Sequence, residues 1–343
     1  AASDVYKRQL YWGTPEYSVP TLLALHNAGH QIVGVVSQPD RRRGRGKQLL
    51  PSAVKICAQS LGLPVYTPER IKTDLDCQQE LADLQPDASV VVAFGQILPK
   101  SVLNQPPLGC WNGHGSLLPR WRGAGPIQWA LLEGDPETGV GIMSMEEGLD
   151  TGPVLLEQKI PIALCQNALE LGEQLSQLTA VLMVKAMELI HSAGVGVESD
   201  RLTRLKVRRQ GSEFSYARML KKNDFLINWS DSALCTHRKV MGLYPGALTS
   251  WRNKRLKVLS TEPLIDRLSN EISQEARALL GRWKTGAHEP GTVLDCVNNL
   301  GIIVSTSGCP VLIREAQLEG KAISSSQGLI QQLAASTGDI FNK

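Results

Sequence analysis

Side chains fit for proton chemistry gather in two stretches of this 343-residue chain. One reads Cys110-Trp111-Asn112-Gly113-His114-Gly115-Ser116-Leu117-Leu118-Pro119-Arg120-Trp121-Arg122-Gly123-Ala124-Gly125-Pro126, the other Gly148-Leu149-Asp150-Thr151-Gly152. Asn112 and His114 are two apart, so an extended segment turns both to one face. Gly113 and Gly115 let a ligand come close to the backbone. An imidazole exchanges protons near neutral pH, a carboxylate orients it or holds its charge, and a carboxamide donates to a developing oxyanion. Asn112, His114 and Asp150 together are therefore a candidate acid/base site. Singly, each has a plainer use: His114 as a satisfied loop residue, Asn112 as a turn residue, Asp150 as a turn or cap. The composite favours chemistry, as does the adjoining Arg120-Trp121-Arg122-Gly123, which no core would take in. Arg120 and Arg122 can meet a phosphate, an acidic group or an Asp side chain; the sequence leaves that choice open.

The elements that must position these residues alternate. Residues 10–15 read as the end of a first strand and its glycine turn, although Lys7-Arg8-Gln9 interrupt the apolar run expected before it. Residues 1–9 thus read as foreign to a compact first strand. A helix is expected over 19–28, with Gly29 as its stop, and a buried β-branched strand over 32–36. Helices follow over 51–61 and 74–84, with a short strand at 63–66 between them. Residues 88–93, Ala-Ser-Val-Val-Val-Ala, form the most apolar run, the mark of a central strand. Parallel neighbours need such helical, right-handed crossovers. The pattern predicts a doubly wound, Rossmann-like sheet that takes its ligand at the carboxyl ends of the strands. No G-x-G-x-x-G follows the first strand, which argues against a nicotinamide dinucleotide. Beyond the site, a helix starts at 126–133, a strand pair or hairpin arm covers 154–162, and Leu171, Leu175, Leu178 and Leu182 stripe a long helix over 167–191. The Gly-, Val- and Ser-rich residues 192–199 fit a linker, a helix follows over 233–241, and five short apolar runs (248–251, 256–259, 291–294, 302–305, 311–316) suggest a small β-barrel.

Length suggests two domains, and 42% apolar residues suffice for ordinary cores. No run approaches the roughly 18 apolar residues of a membrane span, and residues 1–9 lack the apolar core of a signal peptide. Seven scattered cysteines without CxxC spacing read as reduced thiols of a cytosolic protein. No ligand cluster is evident, so no metal is expected. Charge is uneven. Residues 1–200 hold 15 Lys+Arg against 21 Asp+Glu, whereas residues 201–343 hold 21 against 12, a balance of −6 and +9. The basic half suggests a polyanion, with a merely solvated basic surface as the plain alternative. Five of the seven residues 41–47 are basic: Arg41, Arg42, Arg43, Arg45 and Lys47. A packed helix or strand would not tolerate them. They read either as a solvated loop or as a mobile loop that orders on phosphates.

The string from Asn112 to Ala124, followed by Gly148-Leu149-Asp150-Thr151-Gly152, resembles the methionyl-tRNA formyltransferase family. The Asn…His…Asp part alone is shared with a wider group of folate-dependent formyltransferases and hydrolases. The resemblance runs from about Gly13 to about Ile323. It implies a Rossmann-like catalytic domain over 10–192, a linker over 193–209 and a smaller OB-like β-barrel domain over 210–335 that binds tRNA. It implies formyl transfer from 10-formyltetrahydrofolate to the methionyl amine of initiator tRNA, without a metal, by a cytoplasmic monomer. Asn112 and a protonated His114 would stabilise the oxyanion, and Asp150 would hold His114 charged and help remove the amine proton. Ser116, Leu117, Leu118 and Pro119 match the folate-binding string, with Phe94, Gly95 and Ile97 beside it. Gly44-Arg45-Gly46-Lys47 matches a loop that wedges into the acceptor stem, so Arg41, Arg42, Arg43, Arg45 and Lys47 are expected on tRNA. Arg252, Lys254, Arg255 and Lys257 are expected to track phosphates from one hairpin. Three residues depart from the pattern: Trp111 and Gly113 where small aliphatics are common, and Gly125 where Ala is, so added backbone freedom is expected. Rival readings are formylation of a sugar amine or of glycinamide ribonucleotide, hydrolysis of the formyl group, or a non-catalytic RNA-binding protein. The basic loop and basic second half argue against the folate rivals; the triad and folate string argue against the last.

Overall fold

The computed structural model describes residues 8–43 and 48–342. Two compact units divide the chain: residues 8–126, 138–160 and 172–218 form the first; Ile127–Glu137, Pro161–Leu171 and the residues from Met219 onward form the second.

The first unit begins with β1 (Arg8–Gly13), α1 (Val19–Asn27) and β2 (Gln31–Val36). Arg8 and Gln9 belong to β1, whose pairing with β2 slips in register between Gln9 and Leu10. The backbone N–H of Arg8 donates to Asp87 Oδ2 at 2.9 Å and its guanidinium to the Leu84 carbonyl at 2.6 Å, so the charge reaches the strand's edge. Buried Gln9 meets His30 Nδ1 at 2.8 Å. The Arg8 groups are thereby satisfied, whereas Gln9 Oε1 is buried without a hydrogen-bond partner. Residues 1–7 lie outside the described residues.

The chain continues through a hairpin of β3 (Arg41–Arg43) and β4 (Gln48–Leu50), then α2 (Ala53–Ser60), β5 (Val65–Tyr66), α3 (Leu75–Asp83) and β6 (Ala88–Val92). Ser52 and Asp74 cap α2 and α3, their side chains accepting from the N–H groups of Lys55 and Cys77. Next come α4 (Lys100–Leu103), β7 (Cys110–His114), β8 (Arg122–Gly123), α5 (Pro126–Glu133), β9 (Glu137–Ser144), β10 (Val154–Pro161), α6 (Ala168–Ala193) and α7 (Glu198–Leu205). The main sheet has the order β10-β9-β7-β6-β1-β2-β5. β5, β2, β1, β6 and β7 run parallel, and β9 lies antiparallel to β7. Every residue of β6 is buried, as its unbroken apolar run requires. The chain winds outward from β1 to β2 and β5, then restarts on the other side at β6. The switch point therefore lies between β1 and β6, where a doubly wound sheet takes its ligand.

In the second unit, α8 (Ala233–Gly242) precedes β12 (Leu248–Trp251), β13 (Lys254–Pro263), α9 (Gln274–Arg277), β14 (Val293–Val297), β15 (Gly301–Val304), β16 (Val311–Leu318), β17 (Ser324–Ser325) and α10 (Ser326–Leu333). β11 (Tyr216–Ala217), just before it, stays with the first unit. The antiparallel sheet has the order β12-β13-β16-β15-β14, with β17 on β16. Its two edges are bridged by the chain's own tail: Ser250 and Asn342 exchange both backbone hydrogen bonds at 3.0 Å, and Phe341 N–H donates to Gly291 at 2.9 Å. Closure of this kind removes exposed edges, as a small barrel demands. Phe341 is buried against Trp251 and Trp229, with ring centroids 4.5 and 5.5 Å away.

Two expected features differ. The stretch 192–199 expected as a linker runs into α7, and the compact units part between Arg218 and Met219. The basic segment does form strands at 41–43 and 48–50. These tolerate charge because they are not packed: Arg41 and Arg42 are exposed, as are Leu49 and Leu50. Residues 44–47, with Arg45 and Lys47, lie outside the described residues.

Candidate active site

β7 carries Asn112 and His114 on one face, as the strand period requires. The opposite face presses on α6: a Cβ at Gly113 would stand 2.5 Å from Thr179 Cγ2. Gly113 is thus fixed by close packing, and the loosening expected from it does not arise. Trp111 is fully buried, and its Nε1 donates to the Leu108 carbonyl at 2.9 Å. Burial pushes the Cys110 thiol up to about 12, which keeps it protonated and unreactive at the foot of the same strand.

Asp150 sits at φ +52°, a left-handed conformation that Asp tolerates better than most residues. Its Oδ2 accepts from the Gly123 N–H at 2.8 Å and lies 3.7 Å from His114 Nδ1; its Oδ1 is 3.4 Å from Asn112 Nδ2. The three candidate residues therefore converge. His114 is buried, and its Nε2 lies 2.8 Å from the Trp121 carbonyl oxygen. A carbonyl can only accept, so Nε2 carries the proton and Nδ1 is the nitrogen turned to the carboxylate. Trp121 stands at φ +61°, an outlier for a bulky side chain, and Gly123 at φ +112°, where a Cβ would meet the Ala217 carbonyl at 2.8 Å. Strain of this kind, on the order of 1–3 kcal/mol for a residue such as Trp121, persists only where the surroundings over-determine it.

Those surroundings come from residues 207–217. Arg208 and Val154 exchange backbone hydrogen bonds at 2.9 and 2.8 Å. Ser215 accepts the Trp121 N–H on its Oγ at 3.0 Å and the Arg122 N–H on its carbonyl at 2.9 Å. Ala217 accepts from Ala124 and Gly125, and β11 pairs with β8 in parallel. Gln210 links Arg122 to the Asp150 turn. The buried Arg122 guanidinium donates to Gln210 Oε1 and lies over the Phe214 ring at 4.6 Å. Arg120 covers the Trp121 ring at 4.4 Å. Gln210 and Ser215 gave no sequence signal, because their partners are distant and mostly backbone.

The remaining candidates divide. Phe94 is buried, edge-on to Trp12 at 5.2 Å, and Leu118 packs with Met143 and Val154. Ser116 Oγ donates to the Arg120 carbonyl at 2.7 Å, and Leu118-Pro119 is a cis peptide. These side chains serve the fold, and the Leu117, Leu118 and Pro119 carbonyls accept from Arg120 N–H, Arg208 Nη2 and Ser215 N–H. Beyond β6, Ala93 and Gly95 have positive φ and are exposed, and Ile97 is 72% exposed. Ala93, Gly95 and Ile97 are thus exposed beyond β6, at the sheet's switch point. Thr14, Gln38 and Gln96 tie this loop down: Thr14 Oγ1 donates to the Phe94 carbonyl at 2.8 Å, and Gln96 Nε2 to Gln38 Oε1 at 3.3 Å.

On the basic segment, Arg41 and Arg42 are exposed on β3; Arg41 lies 3.8 Å from Glu69. Of the expected phosphate trackers, Arg252 pairs with Asp339 at 3.2 Å and Arg255 with Glu319 at 2.7 Å, while Lys254 and Lys257 are exposed. Among the described residues, no group of three or more His, Cys, Asp or Glu side chains is placed to hold a metal ion, and no helix is long and apolar enough to cross a membrane.

Residues 9–187 match the formyl transferase family model and residues 219–333 that of the formyl transferase C-terminal domain. The chain is 79% identical over 332 residues to the methionyl-tRNA formyltransferase of Synechococcus sp. (strain CC9902), covering 97% of this chain and 98% of that protein. It is 70% identical to that of Synechococcus sp. (strain WH7803), covering 96% and 97%. Among solved structures it shares its fold with HypX from Aquifex aeolicus in complex with tetrahydrofolic acid, at TM-score 0.60 and 15% identity over 97% of this chain and 48% of that one.

Proposed function

The chain belongs to the methionyl-tRNA formyltransferase family, and we propose that Asn112, His114 and Asp150 carry its reaction, formyl transfer from 10-formyltetrahydrofolate to the methionyl amine of initiator tRNA. The observation that carries this reading is the Asp150 carboxylate, held by the Gly123 N–H and facing both Asn112 and His114. The folate supplies an activated formyl group. As the amine nitrogen attacks it, the new C–N bond forms and the formyl oxygen takes up negative charge. Asn112 Nδ2 and a protonated His114 Nδ1 donate to that oxygen, while Nε2 stays on the Trp121 carbonyl. Asp150 accepts the amine proton, directly or through water. The bond from the formyl carbon to the folate nitrogen then breaks, and that nitrogen takes a proton.

Ser116, Leu117, Leu118 and Pro119, with Phe94 and Gly95, line the folate site, and Ile97 covers the folate with an exposed apolar side chain. Arg41, Arg42 and Arg43, together with Arg45 and Lys47, meet the tRNA backbone, their charges neutralising phosphates. The enzyme works as a cytoplasmic monomer; light scattering at a single-chain mass checks the oligomeric part. The catalytic assignment is tested by single-turnover formylation with His114→Ala and Asp150→Asn. Each is expected to transfer about 10²- to 10⁴-fold more slowly while keeping its circular dichroism and folate binding. A wild-type rate in either removes that residue from the mechanism.

A further inference from the structure

Gln210 makes four hydrogen bonds with its side-chain amide, which saturates that group. Oε1 accepts from Arg122 Nε at 2.9 Å and from Arg122 Nη2 at 2.8 Å. Nε2 donates to the Asp150 carbonyl at 2.8 Å and to the Gly152 carbonyl at 2.7 Å. The partners dictate the amide's orientation, because a guanidinium only donates and a carbonyl only accepts. No other proteinogenic side chain of that length offers two acceptor sites on one side and two donors on the other.

The two ends of this bridge are the two parts that place the Asp150 carboxylate. One end is Arg122, whose neighbour Gly123 gives its N–H to Asp150 Oδ2. The other is the backbone of Asp150 itself, held at positive φ, and that of Gly152. Arg122 is fixed in turn by the Phe214 ring and by the Ser215 carbonyl, both on the same returning segment as Gln210. We propose that Gln210 is a positioning residue of the formyl transfer, clamping β8 to the Asp150 turn so that the carboxylate faces Asn112 and His114. Gln210 does not touch the reacting atoms; it acts through Asp150. This inference rests on the proton-accepting role assigned above to Asp150.

Misplacing a catalytic group by about 1 Å can cost on the order of 10²-fold in rate, and that is the scale expected for losing the clamp. Gln210→Met keeps the length and packing and removes all four hydrogen bonds. Gln210→Glu keeps the acceptor for Arg122 but sets a carboxylate against two carbonyls, so it separates anchoring of Arg122 from holding of Asp150. The test is single-turnover transfer by the full chain, with KM for Met-tRNA and for 10-formyltetrahydrofolate measured alongside the folded fraction. Both variants should lose about 10²-fold in kcat with both KM values little changed. In the Asp150→Asn background, Gln210→Met should cause no further loss, because the group it positions is already gone. Wild-type kcat in Gln210→Met overturns the proposal. So does a loss that merely follows the folded fraction, or one that adds fully to that of Asp150→Asn. If Asp150→Asn alone transfers at the wild-type rate, the role given to Asp150 fails first, and that outcome is visible in the single variant.

Discussion

His114 can reach the reacting centre with one nitrogen only, since the Trp121 carbonyl occupies the other. That contact ties the imidazole to a residue in a left-handed conformation, so the loop from Ser116 to Gly123 fixes the orientation of the ring. Trp121→Gly would relieve the backbone but add chain entropy and remove the ring under Arg120. It is expected to lower kcat more than it lowers the melting temperature, a comparison that parallel kinetics and calorimetry provide. At this scale the sequence made the triad legible, because Asn112 and His114 share a strand face and Asp150 stands in a glycine turn. It did not reveal Gln210, which is 88 residues from Arg122 and 60 from Asp150. A side chain whose partners are distant and mostly backbone leaves no pattern in its own neighbourhood. Nor did it show that Gly113 is required by Thr179 on α6, since a close approach between elements is a property of packing.

Among the elements, most strands and helices followed their apolar periodicity, and the exceptions have identifiable causes. β1 accommodates Arg8 because Asp87 and Leu84 accept from it, and Gln9 through its Nε2 contact with His30, with Gln9 Oε1 left buried and unpaired. The hairpin β3–β4 forms despite its charge because it is exposed and pairs within itself. Substituting Arg41 and Arg42 by Ala is expected to raise KM for tRNA, and to flatten its salt dependence, with folate binding unchanged. Equal tRNA kinetics at low and high salt in the wild type would count against a phosphate role for the hairpin. In the second unit, α8 buries His237 between the Leu164 carbonyl at 2.8 Å and Thr261 Oγ1 at 3.0 Å. Burial pushes the His237 pKa down, outweighing the hydrogen bonds that raise it. A depressed folded value means that the neutral form's contribution to stability is complete above the unfolded pKa of about 6.5 and declines as pH falls below it. The melting temperature should therefore drop on acidification from pH ~7 to pH ~5, and His237→Asn should flatten that slope; an unchanged slope would show that other groups set the acid limb.

For the molecule as a whole, the sequence pattern disclosed an alternating first half and a strand-rich, basic second half. The closing of the second unit was not legible. The sequence reading ended that domain at residue 335, yet residues 340–342 bridge the edges at β12 and β14 and bury Phe341 among Trp251 and Trp229. Three residues are too few for a periodicity to register, and their role depends on where two distant edges end. Phe341→Ala is expected to destabilise this unit by about 3–5 kcal/mol, read from denaturant unfolding; a change below about 1 kcal/mol would mean the tail is not part of its core. Purified protein is given 10-formyltetrahydrofolate with Met-charged initiator tRNA, Met-charged elongator tRNA or free methionine. Formyl-methionine is expected on the initiator tRNA, far faster than on either control and abolished by His114→Ala. Folate turnover without formylated tRNA, or equal formylation of free methionine, would contradict it.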